Sequence, residues 1–543
     1  MKLNNIKVLL VWITFGLILF GGAQILLDNQ IAHSTPHGLY AMDATTHTVF
    51  AEAFYQEGNA KFYPSYSVMG YEDVVAANPP VVYSLAASFA YLSGLSIYDS
   101  LVFLELLMFV LIPIVMYLFI RKFNETVAIL SLPLSILLIK NPFFSALSWG
   151  EYPFILGILL MVTGIWAIPN INLKYFAVPF ALLLSALFMA HASEFMVLVA
   201  FIFVFYVVQI YFRKQIKKTT ISLSLTAMLI ISICFHYYVI FKNTFVKLQL
   251  STSFEPIYNA GYLVPEFIKD FPIIVWLILL VGVILSILYC YTHLKNKNKR
   301  WIYPALALFL LVITYTNLIG QKRALQIRLL WPALLMFFFG LVLYFIFTKT
   351  KQHKNWWLSF AVVLVLLVGF FGLYHSPFAG PGLIDPYTWE GFQWMKENTP
   401  QESTIIFFYG DTYNQHTMLN LANRQTFLID PNSLIENINN QKISYSYKIS
   451  PEVFLDTWLA YKKSFFEFGY YYTEGDSKYQ PFVGEVCDFD YLVFNKFSRN
   501  QPLADYNVAV ANTLLQNGKS RKSFENALII IIEINGGDCF ETN

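Results

Sequence analysis

The chain has 543 residues, of which 57% are hydrophobic and only 13% are charged, and its formal net charge is +2. The mean hydropathy is +0.53. A soluble globular protein of this length is far less apolar, so the composition excludes that class and predicts a polytopic α-helical membrane protein.

Apolar runs long enough to cross about 30 Å of hydrocarbon, on the order of 20 residues each, recur along residues 1–374. Lys2 and Lys7 precede the first run, which is either an uncleaved span or a cleavable signal peptide. Its length favours the span. The runs predict about eleven transmembrane helices, near residues 7–27, 101–120, 125–140, 152–168, 174–190, 194–212, 219–241, 271–292, 301–319, 327–347 and 356–374.

Basic residues collect in three of the loops between these runs, at 213–218, 293–300 and 349–354. Short cytoplasmic loops carry the excess of Lys and Arg in membrane proteins. These loops and the N-terminus are therefore predicted to be cytoplasmic. With eleven spans, the polar region after residue 374 then lies on the extracytoplasmic side.

Residues 79–96 form one further apolar stretch, which opens with Pro79 and Pro80. If this stretch crossed the membrane, every later basic loop would face outwards. We therefore predict a helix that lies in the outer interface. A twelfth span with a frustrated topology is the alternative.

The outer segment that follows the first span, residues 28–100, carries seven acids and a single basic residue, Lys61. Asp43 and His47 are four residues apart, which places them on one face if the segment is helical. Such a pair can act as a general base with its partner, or as two ligands of a divalent cation. An ordinary solvated helix with a capping Asp is the alternative.

Two more outer loops supply ionisable groups at the ends of predicted spans. Glu151 lies in NPFFSALSWGEYP, and His191 and Glu194 lie in HASEF. Ionisable residues at such positions are costly unless they serve a site or reach water. The loops could converge on the segment that holds Asp43, although His191 could equally cap a helix.

Lys322, Arg323 and Arg328 lie in QKRALQIRLLWP, at the predicted outer mouth of the tenth span. Their position runs against the charge bias of the other loops. A phosphate or pyrophosphate headgroup would offset them, because Arg makes bidentate contacts to phosphate oxygens. Snorkelling to lipid headgroups is the alternative.

Residues 375–543 change abruptly to mixed polar sequence and predict a small α/β domain. Its acids outnumber its basic residues by 20 to 12, which argues against a nucleic-acid partner. Cys487 and Cys539 both fall in this domain, where a disulfide could persist, but the spacing leaves their pairing open. The predicted elements are strands in TPQESTIIFFYGDTY, FDYLVFNKF and ENALIIIIEI, and a helix in ADYNVAVANTLLQNG that ends at Gly518.

The arrangement of residues 1–374 resembles the C-type membrane glycosyltransferases (GT-C). DATTH is similar to the family's acid-bearing outer loop, and NPPVVYSLAASFAYLSGLS is similar to its Pro-rich membrane-parallel helix. The resemblance implies that Asp43 is the catalytic acid, with Glu151 in the second acidic loop, and that Arg328 contacts the carrier phosphate. His47 departs from many members. The loop that holds Glu151 has no DxD motif, which leaves a bound divalent metal ion open, with Asp43, His47 and Glu151 as its ligands if one is present.

The implied function is transfer of a sugar from a polyprenyl phosphate or pyrophosphate carrier to an acceptor glycan, lipid or protein at the outer face of the membrane. The catalytic candidates are Asp43, His47 and Glu151. A transporter or flippase is the alternative, although the sequence shows no inverted repeat and no pair of matched broken helices. The predicted substrate-binding residues are His191, Glu194, Lys322, Arg323 and Arg328.

Overall fold

The computed structural model describes most of the predicted membrane segments and a large part of the C-terminal region. The side chains of some helix and strand residues, Asp43 among them, lie outside this description. The described residues are 3–26, 42–58, 64, 66, 80–139, 143, 146–147, 150–168, 176–211, 223–228, 230–231, 273–296, 299–315, 330–349, 356–372, 386–408, 420–428, 486–496, 501–516 and 518–535.

Apolar helices occupy the predicted membrane runs wherever those runs are described. Three of them are long and apolar enough to cross a membrane, at Asn5–Gln24, Ile97–Phe123 and Trp276–Lys295. Residues 223–228 and 230–231 are also helical. The helices are α1 (Leu3–Leu26), α2 (Met42–Glu57), α3 (Val81–Ser93), α4 (Ile97–Phe123), α5 (Glu125–Ser135), α6 (Tyr152–Ala167), α7 (Ala177–Ala190), α8 (Ala192–Tyr211), α9 (Ile273–Lys295), α10 (Ile302–Tyr315), α11 (Trp331–Leu334), α12 (Met336–Lys349) and α13 (Trp356–Gly372).

Side-chain hydrogen bonds cap the start of α4 and the turn from α4 into α5. Ser96 precedes α4, and its hydroxyl accepts a hydrogen bond from the Asp99 amide at 3.1 Å. Asn124 follows α4, and its side-chain oxygen accepts from the amides of Thr126 and Val127 at 2.8 and 3.1 Å. Because one Asn both ends α4 and caps α5, the two helices run back along each other and pack together.

Lys7 and Lys122 lie at one end of the helix bundle. The Lys7 ammonium pairs with Glu125 at 2.8 Å, and Lys122 donates to the Trp166 carbonyl at 3.0 Å. Trp166 is near the end of α6, whereas Glu151 immediately precedes its start. Since 16 helical residues extend about 24 Å, Glu151 lies at the opposite end of the bundle from these lysines.

Helix α3 occupies the middle of the predicted interfacial stretch. It has 13 residues and ends at Gly94, whose φ of 73° is left-handed. A helix of this length extends about 20 Å, less than the hydrocarbon core. Tyr91 and Leu92 at its end are 79% and 82% exposed, as an interfacial helix requires. Its position relative to the bilayer stays a prediction.

The C-terminal region contains a mixed five-stranded sheet with the order β2-β1-β3-β5-β4. Strand β1 pairs in parallel with β2 and β3, whereas β5 is antiparallel to β3 and β4. The predicted strands β1, β3 and β5 and the predicted helix α15 are confirmed, and Gly518 follows that helix with φ of 70°. The elements are α14 (Pro386–Asn398), β1 (Thr404–Phe408), β2 (Gln425–Leu428), β3 (Tyr491–Asn495), α15 (Gln501–Gln516), β4 (Ser520–Glu525) and β5 (Ile529–Ile534).

The two faces of the sheet belong to different hydrophobic cores. Ile406 and Phe408 of β1 pack in a core with Val510 and Leu514 of α15. The alternate residues of the same strands join a core that contains Phe392 and Met395 of α14 and continues into the membrane helices. The sheet therefore rests on the helix bundle through its α14 face.

Candidate functional site

Helix α2 carries Asp43 and His47, which confirms that the segment holding this pair is helical. A close approach of the loop before α6 fixes the first turn of α2. Gly150, with φ of 73°, lies so near that a Cβ there would be 2.2 Å from Ala44 Cα and 2.3 Å from Ala44 N. The peptide that joins Asp43 to Ala44 therefore lies against the residue that precedes Glu151.

His47 is held by two tyrosines from other helices. Its Nδ1 shares a hydrogen bond of 2.7 Å with the hydroxyl of Tyr83 on α3. Its ring lies edge-to-face with that of Tyr152, the first residue of α6, with centroids 6.3 Å apart. The imidazole is thus oriented where α2, α3 and α6 meet.

A buried carboxyl that sequence reasoning missed lies beside Glu151. Glu105, on α4, has no exposed surface, and neither of its oxygens has a hydrogen-bond partner among the described residues. Glu151 is itself buried, and its charge acts on Glu105. An ionisable side chain inside a membrane helix is by default a candidate functional group. The signal in the sequence for this residue was a glutamate in the middle of an otherwise apolar helix.

His191 and Glu194 are brought together at the start of α8. His191 Nδ1 contacts Glu194 Oε2, and the glutamate is buried while the histidine is partly exposed. The pair packs on α6, where His191 meets the Phe154 ring and a Cβ at Gly157 would be 2.9 Å from His191 Cβ. The first two turns of α6 therefore lie between this pair and His47. Glu151 immediately precedes these turns.

For the other predicted site residues, either the whole residue or the side chain lies outside the described part of the chain. Lys322, Arg323 and Arg328 lie outside the described residues, and the Asp43 side chain is also undescribed. No group of three or more His, Cys, Asp or Glu residues that could hold a metal ion occurs within the described part of the chain. A divalent metal ion at Asp43, His47 and Glu151 stays a prediction.

The sequence profile of the DUF6541 family, described as a family of unknown function, matches residues 4–326. The chain belongs to this family. The match spans more than half of the chain, including α2, Glu105, Glu151 and the His191–Glu194 pair. No curated protein matches the sequence.

Solved membrane-protein structures share the fold of this DUF6541 member. Two structures of ArnT from Cupriavidus metallidurans are similar to this chain. The apo form has a TM-score of 0.55 at 12% identity, with 99% of this chain and 100% of that chain covered. The form bound to undecaprenyl phosphate gives 0.51 at 12% identity, with 99% of each chain covered. The Archaeoglobus fulgidus oligosaccharyltransferase in the apo form gives 0.51 at 11% identity and covers 76% of this chain.

This chain spans 64% of the length of the archaeal oligosaccharyltransferase but nearly the full length of ArnT. The likeness establishes the fold, and at the level of the fold it confirms the predicted resemblance to the GT-C glycosyltransferases. Together with the apolar helices, it identifies the protein as a polytopic helical membrane protein.

Proposed function

We propose that the protein is an integral membrane glycosyltransferase that moves a sugar from a polyprenyl phosphate or pyrophosphate carrier to an acceptor at the outer face of the membrane. One observation carries the proposal. The first turn of α2, the Glu151 loop and the His191–Glu194 pair converge around the start of α6 in a GT-C fold. The ArnT relative that binds undecaprenyl phosphate supports a polyprenyl carrier.

In the proposed reaction an acceptor hydroxyl or amide attacks the anomeric carbon of the carrier-linked sugar. A bond forms between the acceptor and that carbon while the bond from the carbon to the phosphate oxygen breaks, which inverts the anomeric configuration. Asp43 takes the acceptor proton, and Arg328 with Lys322 or Arg323 stabilises the charge on the departing phosphate. His191 and Glu194 complete the proposed substrate-binding set.

His47 has a proposed orienting role beside Asp43. One imidazole nitrogen is engaged by the Tyr83 hydroxyl, and the ring is fixed against Tyr152. A ring whose direction is set by its surroundings loses little entropy when it binds a substrate.

The proposal places the site on the extracytoplasmic side, with about eleven spans, a cytoplasmic N-terminus and an extracytoplasmic α/β domain at residues 375–543. Two features support this orientation. Lys7 and Lys122 lie at the bundle end opposite Glu151, as the charge-bias rule requires of the cytoplasmic end. Cys487 is disulfide-bonded, which suits an oxidising compartment, and Cys539, the other cysteine of this region, lies outside the described residues.

Lipid extracts from cells test the proposed function. Cells that lack the protein should accumulate a polyprenyl-linked sugar, and wild-type protein should remove it. Asp43→Asn protein, present at the same level in the membrane, should not. If no such lipid accumulates and proteoliposomes with the protein instead take up a labelled polar solute, the protein is a transporter and the proposal is wrong.

A further inference from the structure

An ion pair joins the C-terminal sheet region to the candidate catalytic helix. Lys396 Nζ, near the end of α14, lies 2.8 Å from Glu52 Oε1 on α2. The two side chains are only 30% and 20% exposed, so water screens the pair less than it would a fully exposed pair. Glu52 also accepts a hydrogen bond from Gln56 at 2.9 Å. It lies five residues beyond His47.

The Lys396 backbone is itself fixed by a buried arginine. Arg424, immediately before β2, donates to the carbonyls of Lys396 and Thr399 at 2.7 and 2.6 Å. It also donates to the Thr399 hydroxyl at 2.9 Å and to the Asn423 carbonyl at 2.8 Å. The guanidinium therefore satisfies carbonyls at the C-terminal end of α14 and ties that end to the sheet.

A buried residue of the outer segment feels charges from both regions. Tyr66 is buried, and its hydroxyl has no hydrogen-bond partner among the described residues. Burial raises the pKa of this hydroxyl, the charges of Glu52 and Glu57 raise it further, and the Arg424 charge opposes them. Two cations of the C-terminal region thus act on the acid-rich outer segment: Lys396 pairs with Glu52, and the Arg424 charge acts on Tyr66.

We infer that Lys396 is a positioning residue, through which the C-terminal sheet region holds α2 in the orientation that the candidate site requires. The inference rests on the proposed function for its kinetic consequence. Helix α2 is held at Ala44 by Gly150, at His47 by Tyr83 and, one and a half turns further on, at Glu52 by Lys396. Of these restraints, only the last comes from outside the membrane-helix region.

A charge-swap experiment on purified full-length protein tests the inference. Lys396→Ala and Glu52→Gln should each lower kcat for transfer from a polyprenyl-linked sugar about tenfold, because a displacement below 1 Å already weakens catalysis. KM for that donor should change less than threefold on the same reasoning. The double variant Lys396→Glu with Glu52→Lys should recover kcat to within about threefold of wild type.

Lys496→Ala is the matched control. Lys496 pairs with Glu525 at 2.9 Å and is similarly half-buried, but this pair joins two residues of the sheet region. Its loss should leave kcat unchanged. Equal kcat values for Lys396→Ala and Lys496→Ala, or a double variant no better than the singles, would overturn the inference.

Amide hydrogen exchange separates this inference from the proposed function. Exchange in α2 should be faster in Lys396→Ala than in Lys496→Ala, whichever reaction the protein catalyses. Wild-type protein without transfer activity but with this exchange difference would refute the function and leave the positioning role standing. Equal exchange in the two variants would refute the positioning role.

Discussion

Replacing Gly150 with alanine should separate α2 from the loop that carries Glu151. The new Cβ would lie 2.2 Å from Ala44 Cα. That is about 1.2 Å closer than the ~3.4 Å of an ordinary van der Waals contact, and the facing atoms are backbone, so α2 or the loop must move. A left-handed alanine costs ~1–2 kcal/mol, and the forced separation adds ~1–3 kcal/mol.

Gly94→Ala is the matched control for this prediction. Gly94 has the same φ of 73°, but a Cβ there would meet nothing within 4 Å. The control therefore carries the backbone cost without the clash. We expect thermal unfolding in detergent to show a clearly larger loss for Gly150→Ala than for Gly94→Ala.

Transfer activity should fall together with stability. A displacement of about 1 Å between Asp43 and Glu151 should lower transfer from a polyprenyl-linked sugar roughly 10²-fold. Gly94→Ala should keep most of the activity. If both variants had the same activity and the same unfolding temperature, the close approach at Ala44 would not matter to the site.

Three further predictions concern the buried carboxyl of Glu105, the disulfide-bonded Cys487 and the hydrogen bond between Arg521 and Glu533. Glu105→Gln should leave the unfolding temperature unchanged or raise it, because it replaces a buried carboxyl group whose oxygens lack a described partner and which feels the Glu151 charge. In denatured, unreduced protein, a thiol reagent should label Cys290 but not Cys487 until a reductant is added. The hydrogen bond from Arg521 lowers the pKa of Glu533 below its usual 4.5, so Glu533→Gln should destabilise the protein at neutral pH and lose this effect as the pH falls through the folded-state pKa.

Each of these has a contradicting result. A marked fall in the unfolding temperature of Glu105→Gln would mean that the carboxyl makes a stabilising contact. Labelling of Cys487 without reductant would mean that the thiol is free. A Glu533→Gln difference that stays constant down to pH 3 would mean that the Arg521 hydrogen bond does not stabilise the folded state.

The C-terminal elements show which strands a sequence predicts. Strands β1, β3 and β5 each contain four consecutive apolar residues that are buried in the sheet. Strand β4 was missed because SRKSFE has no apolar run: it is an edge strand whose conformation comes from pairing with β5. Strand β2 was also missed, because it has only four residues.

The site was predictable where polar residues interrupt the apolar pattern. Asp43, His47, Glu151, His191 and Glu194 lie at helix starts or turns, where polar groups are conspicuous. Glu105 was missed because the search followed loops rather than helix interiors. The partner of His47 is a tyrosine 36 positions away in an apolar helix, where aromatic residues are ordinary packing groups.

The ion pair between Lys396 and Glu52 could not be predicted from the sequence. Its residues are 344 positions apart, and each is one of many charged residues with no distinguishing pattern. Only the fold brings them together, because the α14 face of the sheet packs towards the membrane helices. Part of the acidity of the outer segment therefore faces a cation of the same chain.

Single-turnover transfer by purified protein tests the central claim most directly. Wild-type protein reconstituted in lipid with a labelled polyprenyl phosphate sugar should release the label from the carrier onto an added acceptor extract. Asp43→Asn protein with the same unfolding temperature should lose at least ~10²-fold of this rate, as expected on removal of a general base. Equal rates for the two proteins, or no release by either, would contradict the assignment of α2 as the catalytic helix of a glycosyltransferase.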